Sequence, residues 1–285
     1  MGAFCREMKS MSTIKLSGAQ WTWVGASFAE SAGIYRALGV EAMDLIAMPH
    51  AALEAAHVAA DPGSAADKVS DLDIELANFL VLFGEGFADQ AINSADEAVR
   101  ADVLETYKGL LEFCVAAGLK SICILPGVEQ EGMSRADAQS LSAEVMHGMN
   151  NLARDAGILM VYEAHRESIL ESPAETLAFV KQQPDLKLCI DHAHCLSIGY
   201  DLAELEPLVP YAGHVHLRQA TKGAIQSRWN DGEIDFPVLM KQLQESGYEG
   251  YATLEYEHEE FWDMDKCDVM TETIKMRDAV RPFVS

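Results

Sequence analysis

Four short apolar segments of this sequence end in an acidic residue or a histidine. They run from Ile158 to Glu163, from Leu186 to Asp191, from Ala212 to His216 and from Tyr251 to Glu255. A short apolar run of this kind is typical of a strand that is buried on both faces of a parallel sheet. Because the carboxyl ends of parallel strands lie at one edge, we expect the four terminal side chains to meet there.

Three carboxylates and one imidazole are a ligand set for one divalent cation. Such a set favours Mn²⁺, and Co²⁺, Mg²⁺ and Zn²⁺ are compatible with it. A single acid at a strand end is more often a helix cap or an ion-pair partner than a ligand. Four such residues at four strand ends favour a metal site with the ligands Glu163, Asp191, His216 and Glu255.

The rest of the chain alternates between strand-like and helix-like patterns. Helix starts are indicated by three local motifs, Ser27-x-x-Glu30, Ser94-x-x-Glu97 and Ser172-Pro173-x-Glu175, which place a capping hydroxyl three residues before an acid. Eight strands that alternate with helices predict an α/β protein, a single (β/α)8 TIM barrel. We expect residues 1–13 to be an N-terminal tail and residues 14–285 to form the barrel domain.

Composition restricts the partners of such a barrel. The formal net charge of −24 argues against nucleic acid, which requires a basic surface, and against anionic membranes. The six cysteines form no C-x-x-C pair, which is typical of a reducing cytoplasm without disulfides. Neither nucleic acid nor a membrane is therefore expected as a partner, and homo-oligomerisation stays open.

Four motifs of the second half resemble those of the xylose isomerase-like TIM barrel superfamily (sugar phosphate isomerase/epimerase, AP endonuclease family 2 type). They are Val161-Tyr162-Glu163, Asp191-x-x-His194, Gly213-His214-Val215-His216 and Leu254-Glu255. The superfamily includes ketose 3-epimerases, hydroxypyruvate isomerase, inosose dehydratase and endonuclease IV. The resemblance implies that Glu163, Asp191, His216 and Glu255 bind the metal, that Glu163 and Glu255 are the catalytic acid and base, and that His194 contacts the substrate.

These groups suit proton abstraction next to a carbonyl, because a divalent cation polarises a ketone and stabilises an enediolate. We therefore expect a divalent-metal-dependent isomerase or epimerase acting on a small keto-sugar or sugar acid. A lyase on the same scaffold, either a dehydratase or a decarboxylase, is the alternative, because an enediolate can also expel a hydroxyl group. A carbohydrate-binding barrel without turnover is the non-enzymatic alternative.

The loop after the seventh strand carries three cations and two glutamines. Arg218 lies two residues after His216, and Lys222, Gln226 and Arg228 follow. One interpretation is that Arg218 binds an anionic substrate group, since a guanidinium pairs with a carboxylate through two hydrogen bonds. The other is that these cations are solvated partners of nearby acids, which is favoured for Lys222 and Arg228. Gln226 is predicted as a further substrate contact.

Several other residues have both a functional and a structural interpretation. His165, two residues after Glu163, is predicted as a substrate contact, whereas His214 and His192 are expected to be structural. Trp21 and Phe87 follow early strands and are candidates for apolar walls around a sugar. Trp23 and His50 are weaker candidates of the same kind.

Overall fold

Eight parallel strands close into a barrel in the computed structural model, which describes residues 14–285. Each strand pairs with the next, and the last pairs with the first. The prediction of a (β/α)8 barrel is therefore confirmed, and the predicted tail lies outside the described residues. The strands are β1 Lys15–Ala19, β2 Ala42–Ala47, β3 Glu75–Val81, β4 Ser121–Ile124, β5 Leu159–Glu163, β6 Lys187–Ile190, β7 Ala212–Leu217 and β8 Tyr251–Leu254.

Helices follow the strands and cover the outside of the barrel. They are α1 Phe28–Ala37, α2 Ala55–Ala60, α3 Pro62–Asp67, α4 Glu97–Ala117, α5 Arg135–Asp155, α6 Pro173–Gln182, α7 His192–Ser197, α8 Leu202–Leu205, α9 Phe236–Glu245 and α10 Val269–Val280. Short 3-10 turns include Gln20–Thr22, Glu206–Tyr211 and Phe261–Lys266. Among the described residues, no helix is both long and apolar enough to cross a membrane.

Local signals set many of the helix ends. The Ser27 hydroxyl accepts from the Glu30 N–H, and the Glu30 carboxylate accepts from the Ser27 N–H, which forms the expected capping box of α1. Helix α4 ends at Gly118, whose φ of 74° lies in the left-handed region that glycine adopts without strain. One expected helix start and one expected helix end are thus fixed by neighbouring residues alone.

Two capping-box predictions were wrong. Helix α4 is capped by Asp96, which accepts from the Ala98 N–H, so Ser94 does not cap it. Ser172 is the cap residue of α6 but makes no side-chain capping bond. Its expected partner, Glu175, instead accepts charge-assisted hydrogen bonds from the Nε and Nη2 atoms of Arg135, at 2.9 to 3.1 Å. A bidentate guanidinium pair outcompetes a single backbone donor.

The barrel interior is filled by inward-facing side chains from alternate positions along the strands. Its apolar part is a cluster of Ile46, Leu80, Cys123, Val161 and Cys189. Two residues after Val161 and Cys189 come Glu163 and Asp191, so the same alternation directs these acids inward at the carboxyl end of the barrel. The sequence pattern of each strand therefore determines which side chains line the site.

Candidate active site

The four predicted ligands all lie at the carboxyl end of the barrel, and all are buried. Glu163 is the last residue of β5, Asp191 directly follows β6, His216 belongs to β7 and Glu255 directly follows β8. Their exposed fractions are 3%, 7%, 1% and 2%, respectively. Buried ionisable groups require partners or a bound ion, so the contacts among them decide what the site can do.

His216 is the centre of this group. Its Nδ1 atom lies 3.0 Å from the Glu163 Oε1 atom and 3.4 Å from the Glu255 Oε2 atom. Its other nitrogen, Nε2, faces the Asp44 carboxylate at 3.7 Å. The imidazole is thus oriented with Nδ1 toward the two glutamates of the site.

The pKa shifts of His216 and Glu163 indicate that the cluster stabilises positive charge. Burial would lower the pKa of His216, but Glu255, Asp44 and Glu163 raise it well above its ordinary value. Burial would raise the pKa of Glu163, but the hydrogen bond and charge of His216, with His165 and Arg218, lower it to about 2. The carboxylates therefore favour positive charge at His216 Nδ1, which either a proton or a divalent cation in its place can supply.

Glu255 differs from Glu163 although both contact His216. Burial raises the pKa of Glu255 to about 8, against the lowering effects of Arg218 and His216, and Glu257 and Asp191 raise it further. The Glu255 Oε2 atom accepts no hydrogen bond from the described residues. Two carboxyl groups with opposite pKa shifts at one site can serve as a proton donor and a proton acceptor.

Asp191 is already engaged on both carboxylate oxygens. Its Oδ1 atom accepts from the Ala193 N–H at the start of α7. Its Oδ2 atom accepts from the Nε and Nη2 atoms of Arg218, at 3.0 and 2.8 Å. A carboxylate has about four lone-pair positions, so these bonds leave Asp191 able to coordinate a cation.

His194 connects Asp191 to Glu163. Its Nε2 atom lies 3.5 Å from Asp191 Oδ2 and 3.8 Å from Glu163 Oε2, and it accepts from Arg218 Nη2 at 3.1 Å. Because arginine only donates, Nε2 is the unprotonated nitrogen. Burial, with the nearby charges of His165 and Arg218, lowers the pKa of His194 well below its ordinary value, so the ring is neutral.

Below the site, Asp44 holds a buried hydrogen-bond network that the sequence analysis missed. Its carboxylate accepts from the Ser17 hydroxyl at 2.6 Å, from His214 Nε2 at 2.7 Å and from the Thr253 hydroxyl at 2.9 Å. The expectation that His214 is structural agrees with this placement. An acid within the apolar strand β2 was the available signal for Asp44.

A cavity of about 530 Å³ opens above these residues. This volume lies within the range of small-molecule sites. Ile46 and Leu80 form part of its apolar wall, and Trp21, Phe87 and Trp262 contribute aromatic surface. Trp21 and Phe87 therefore lie where the sequence analysis expected walls, whereas Trp23 is buried against Tyr35.

Trp262 belongs to a strained loop over the cavity. Trp262 and Asp263 both have positive φ angles, 57° and 59°, which cost energy for residues with side chains. The indole ring lies 5.5 Å from the His165 ring and 6.1 Å from the Phe87 ring, and the Arg166 guanidinium lies 4.4 Å from it. Packing thus holds this loop against the β5 side of the cavity, and no motif in the sequence indicated it.

The remaining predicted site residues have different placements. His165 lines the cavity and stacks on His194 at 3.9 Å between ring centres. Gln226 donates to the Glu257 and Met264 carbonyls and accepts from the Glu257 N–H, so its amide organises the loop after β8. Lys222 is exposed and pairs with Asp201. Arg228 is also exposed, and His192 is buried.

The residues at the strand ends fit a divalent cation. Glu163 and Glu255 each present a carboxylate oxygen to His216 Nδ1, and the Glu255 Oε2 atom is a buried carboxylate oxygen for which a cation is a suitable partner. Cys189 lies near Glu163, but burial raises the pKa of its thiol well above the ordinary value. A thiol that keeps its proton is a poor ligand, so the donor set is oxygen and nitrogen.

Comparisons with known proteins agree with this architecture. Residues 34–278 match a family described as xylose isomerase-like TIM barrel. An inosose isomerase of Bacillus licheniformis is 21% identical over 184 residues, which are 60% of this chain and 66% of the relative. An inosose dehydratase of Clostridium perfringens is 26% identical over 138 residues, which are 41% of this chain and 46% of the relative.

The aligned part of this chain thus spans about half to two thirds of the length of these curated relatives. Among solved structures, the IOLI protein with a bound zinc atom superposes with a TM-score of 0.72 at 16% sequence identity. The superposition covers 95% of this chain and 100% of that chain. At this identity, the likeness shows the fold.

Proposed function

The chain belongs to the xylose isomerase-like TIM barrel family, and we propose that it is a divalent-metal-dependent isomerase or epimerase of a small keto-sugar or sugar acid. One observation carries the proposal: the carboxylates of Glu163 and Glu255 contact the same nitrogen of His216 at the base of the cavity. Proton transfer next to a carbonyl requires such an acid and base pair. The inosose isomerase similarity supports the same class of reaction.

We assign Glu163, Asp191, His216 and Glu255 as the metal ligands. A cation bound there would polarise the substrate carbonyl and stabilise an enediolate. Oxygen donors with one histidine favour Mn²⁺, and the zinc atom of the IOLI protein is consistent with a related site that accepts Zn²⁺. The cysteines within residues 14–285 are free and buried, which suits a cytoplasmic location.

Within the site, one of the two glutamates, Glu163 or Glu255, acts as a base and removes a proton from the substrate carbon. The other acts as an acid and delivers a proton to the intermediate. The neutral His194 ring and its neighbour His165 line the cavity and are placed to contact substrate hydroxyl groups. The apolar wall opposite them excludes water from the reacting carbon, which lengthens the lifetime of an enediolate. Return of the proton to the other face gives an epimer, and return to the neighbouring carbon gives an isomer.

The test begins with the metal content of the purified protein, followed by incubation with ketoses and keto acids in D₂O. Deuterium at the carbon next to the carbonyl in recovered substrate is the expected result. Glu163→Gln and Glu255→Gln should abolish this exchange, whereas Glu249→Gln, at the exposed opposite end of β8, should not. If both site variants keep full exchange and full metal content, the assignment is wrong.

A lyase is the second candidate, because the inosose dehydratase is 26% identical over its aligned region. Loss of water or CO₂ from the incubated substrate distinguishes this reaction from isomerisation. Metal binding without exchange or loss indicates a carbohydrate-binding barrel. All three outcomes are read from the same incubation by mass spectrometry.

A further inference from the structure

The lining of the cavity is strongly acidic. Arg218 is the one lysine or arginine among the lining residues of the described chain, and six glutamates share the lining with it. Four of them, Glu85, Glu167, Glu257 and Glu259, are additional to the proposed ligands. A divalent cation compensates the ligand carboxylates but not the glutamates around the opening, so the field in the cavity opposes an anionic substrate.

Arg218 has no free N–H donor for an anionic substrate group, because its side chain is saturated by the protein. A guanidinium has five N–H donors. The Nε atom donates to Asp191, Nη2 donates to Asp191 and His194, and Nη1 donates to Glu257 and to the Met264 sulfur. Each of the five donors therefore has a partner, and the side chain is only 4% exposed.

Glu257 is the acidic partner of Arg218 that lines the cavity. It lies two residues after Glu255, and its carboxylate contacts Arg218 Nη1 with 16% of its side chain exposed. Gln226 fixes its backbone from both sides, accepting from the Glu257 N–H at 2.8 Å and donating to the Glu257 carbonyl at 2.7 Å. The carboxylate is thus held in the position that a substrate carboxylate would need in order to reach Arg218.

From these contacts we propose that the site is built for uncharged keto-sugars, and that Glu257 is the specificity-determining residue that excludes sugar acids by occupying Arg218. The proposal rests on the proposed function and narrows its substrate class. It reverses the expectation that Arg218 anchors an anionic substrate group. A substrate carboxylate could bind Arg218 only by displacing Glu257 from its buried charge-assisted contact. It would then lie beside the displaced Glu257 carboxylate, so both the lost contact and the repulsion between like charges oppose its binding.

The aromatic part of the lining fits an uncharged sugar. Phe87 packs on the His165 ring at 4.6 Å between centres, and Trp262 and Phe261 stack at 4.2 Å. Aromatic faces contact the apolar C–H surface of a sugar ring. Polar recognition from the histidines and apolar recognition from these rings require no charge on the substrate.

The test compares a ketohexose with the ketohexuronate that differs from it only by a carboxylate at C6. For the wild-type metal-loaded protein, we expect kcat/KM for deuterium exchange to favour the ketohexose by about tenfold or more. Glu257→Ala frees Nη1 and opens space beside it, and should lower this preference by about tenfold, chiefly through KM for the acid. Glu249→Ala removes the same charge at the far end of β8 and should leave the preference unchanged.

Binding of unreactive ligands gives a second measurement that is independent of turnover. Calorimetry with a hexitol and the matching hexonate should show weaker hexonate binding to the wild type, and a gain for hexonate in Glu257→Ala. Glu257→Gln, which keeps the shape but removes the charge, replaces Glu257→Ala if the latter does not fold. The inference is overturned if the acid is preferred by the wild type, or if a folded Glu257 variant keeps the wild-type preference.

Failure of the proposed function has a different signature. In that case neither sugar exchanges deuterium, and the ratio of hexitol to hexonate binding alone supports or overturns the specificity proposal. Exchange with the acid in preference to the ketohexose would support the proposed function while removing the role of Glu257.

Discussion

The two halves of the barrel present different side chains at the same edge. Strands β5 to β8 end in Glu163, Asp191, His216 and Glu255, while the inward positions near the ends of β2 and β3 are Ile46 and Leu80. At these strand ends, one half of the barrel is thus ionisable and the other is apolar. Both halves have the same parallel topology, so the difference lies in side chains alone.

This asymmetry gives each half a separate task. Charges interact more strongly beside a wall of low polarity, because less water screens them. The apolar half therefore strengthens the electrostatics of the ionisable half and provides a surface for the carbon skeleton of a substrate. Asp44 is the exception, since it belongs to β2 but supports His214 and His216 from below.

The largest effect is expected for Glu163→Gln, which keeps the shape of the side chain and removes its charge. General acid or base groups contribute about 10² to 10⁴ in rate, so deuterium exchange should fall by that factor. Glu249→Gln is the matched control, because it makes the same chemical change at an exposed glutamate that precedes β8, away from the site. An equal loss in both variants would show that overall charge, and not the ionisable half, determines the rate.

Asp44→Asn should have the next largest effect. Substitution of a residue that orients a metal-binding histidine typically lowers metal affinity by about 10-fold to 100-fold. We expect a decrease of this size in Mn²⁺ affinity. Titration calorimetry measures it. Asp73→Asn, an exposed partner of Arg36, should leave the affinity unchanged. If Asp44→Asn leaves the Mn²⁺ affinity unchanged, Asp44 has no part in metal binding, and the residues at the ends of β5–β8 alone determine the affinity.

The ionisable half was predictable from the sequence because strand alternation and strand ends are local features. Glu163, Asp191, His216 and Glu255 could be placed at one edge without knowing how the helices pack. The buried contacts of Asp191 were not predictable, because Arg218 reaches it from another strand and the pairing depends on side-chain rotamers. Spacing along the chain places residues on elements, but it does not assign hydrogen bonds between them.

The apolar half and the loop above it were harder to predict. Trp21 and Phe87 were recognised only as aromatic residues after early strands, and Trp262 was not recognised, since its position depends on a loop with two left-handed residues. Gln226 was expected at the substrate, but its amide is used by the backbone of Glu257 and Met264. Loop conformation is determined by long-range packing that a linear pattern does not contain.

Phe87→Ala should have a moderate effect, about tenfold in KM with a much smaller change in kcat. The ring lines the cavity and packs on His165, so its loss removes binding surface without removing a proton-transfer group. An aromatic contact is worth about 0.5 to 1.5 kcal/mol beyond its area, which corresponds to this range. Phe87→Tyr keeps the aromatic ring and should have a KM near that of the wild type. If Phe87→Ala instead lowers kcat and leaves KM unchanged, the apolar half takes part in the proton-transfer step.

The smallest effect is expected for Ile46→Val, which removes one methylene group from the apolar wall and leaves its polarity unchanged. Ile46 is 8% exposed, belongs to the apolar cluster of the barrel interior and lines the cavity. Such a truncation costs about 0.5 to 1.5 kcal/mol in stability, so the melting temperature should fall slightly while exchange stays within about threefold of wild type. Urea unfolding and the D₂O assay measure the two quantities. Ile46 contributes only packing, so its truncation should not affect proton transfer. A rate loss comparable to that of Glu163→Gln would mean that this wall determines the position of the reacting carbon. Both halves of the barrel would then contribute to the proton-transfer step.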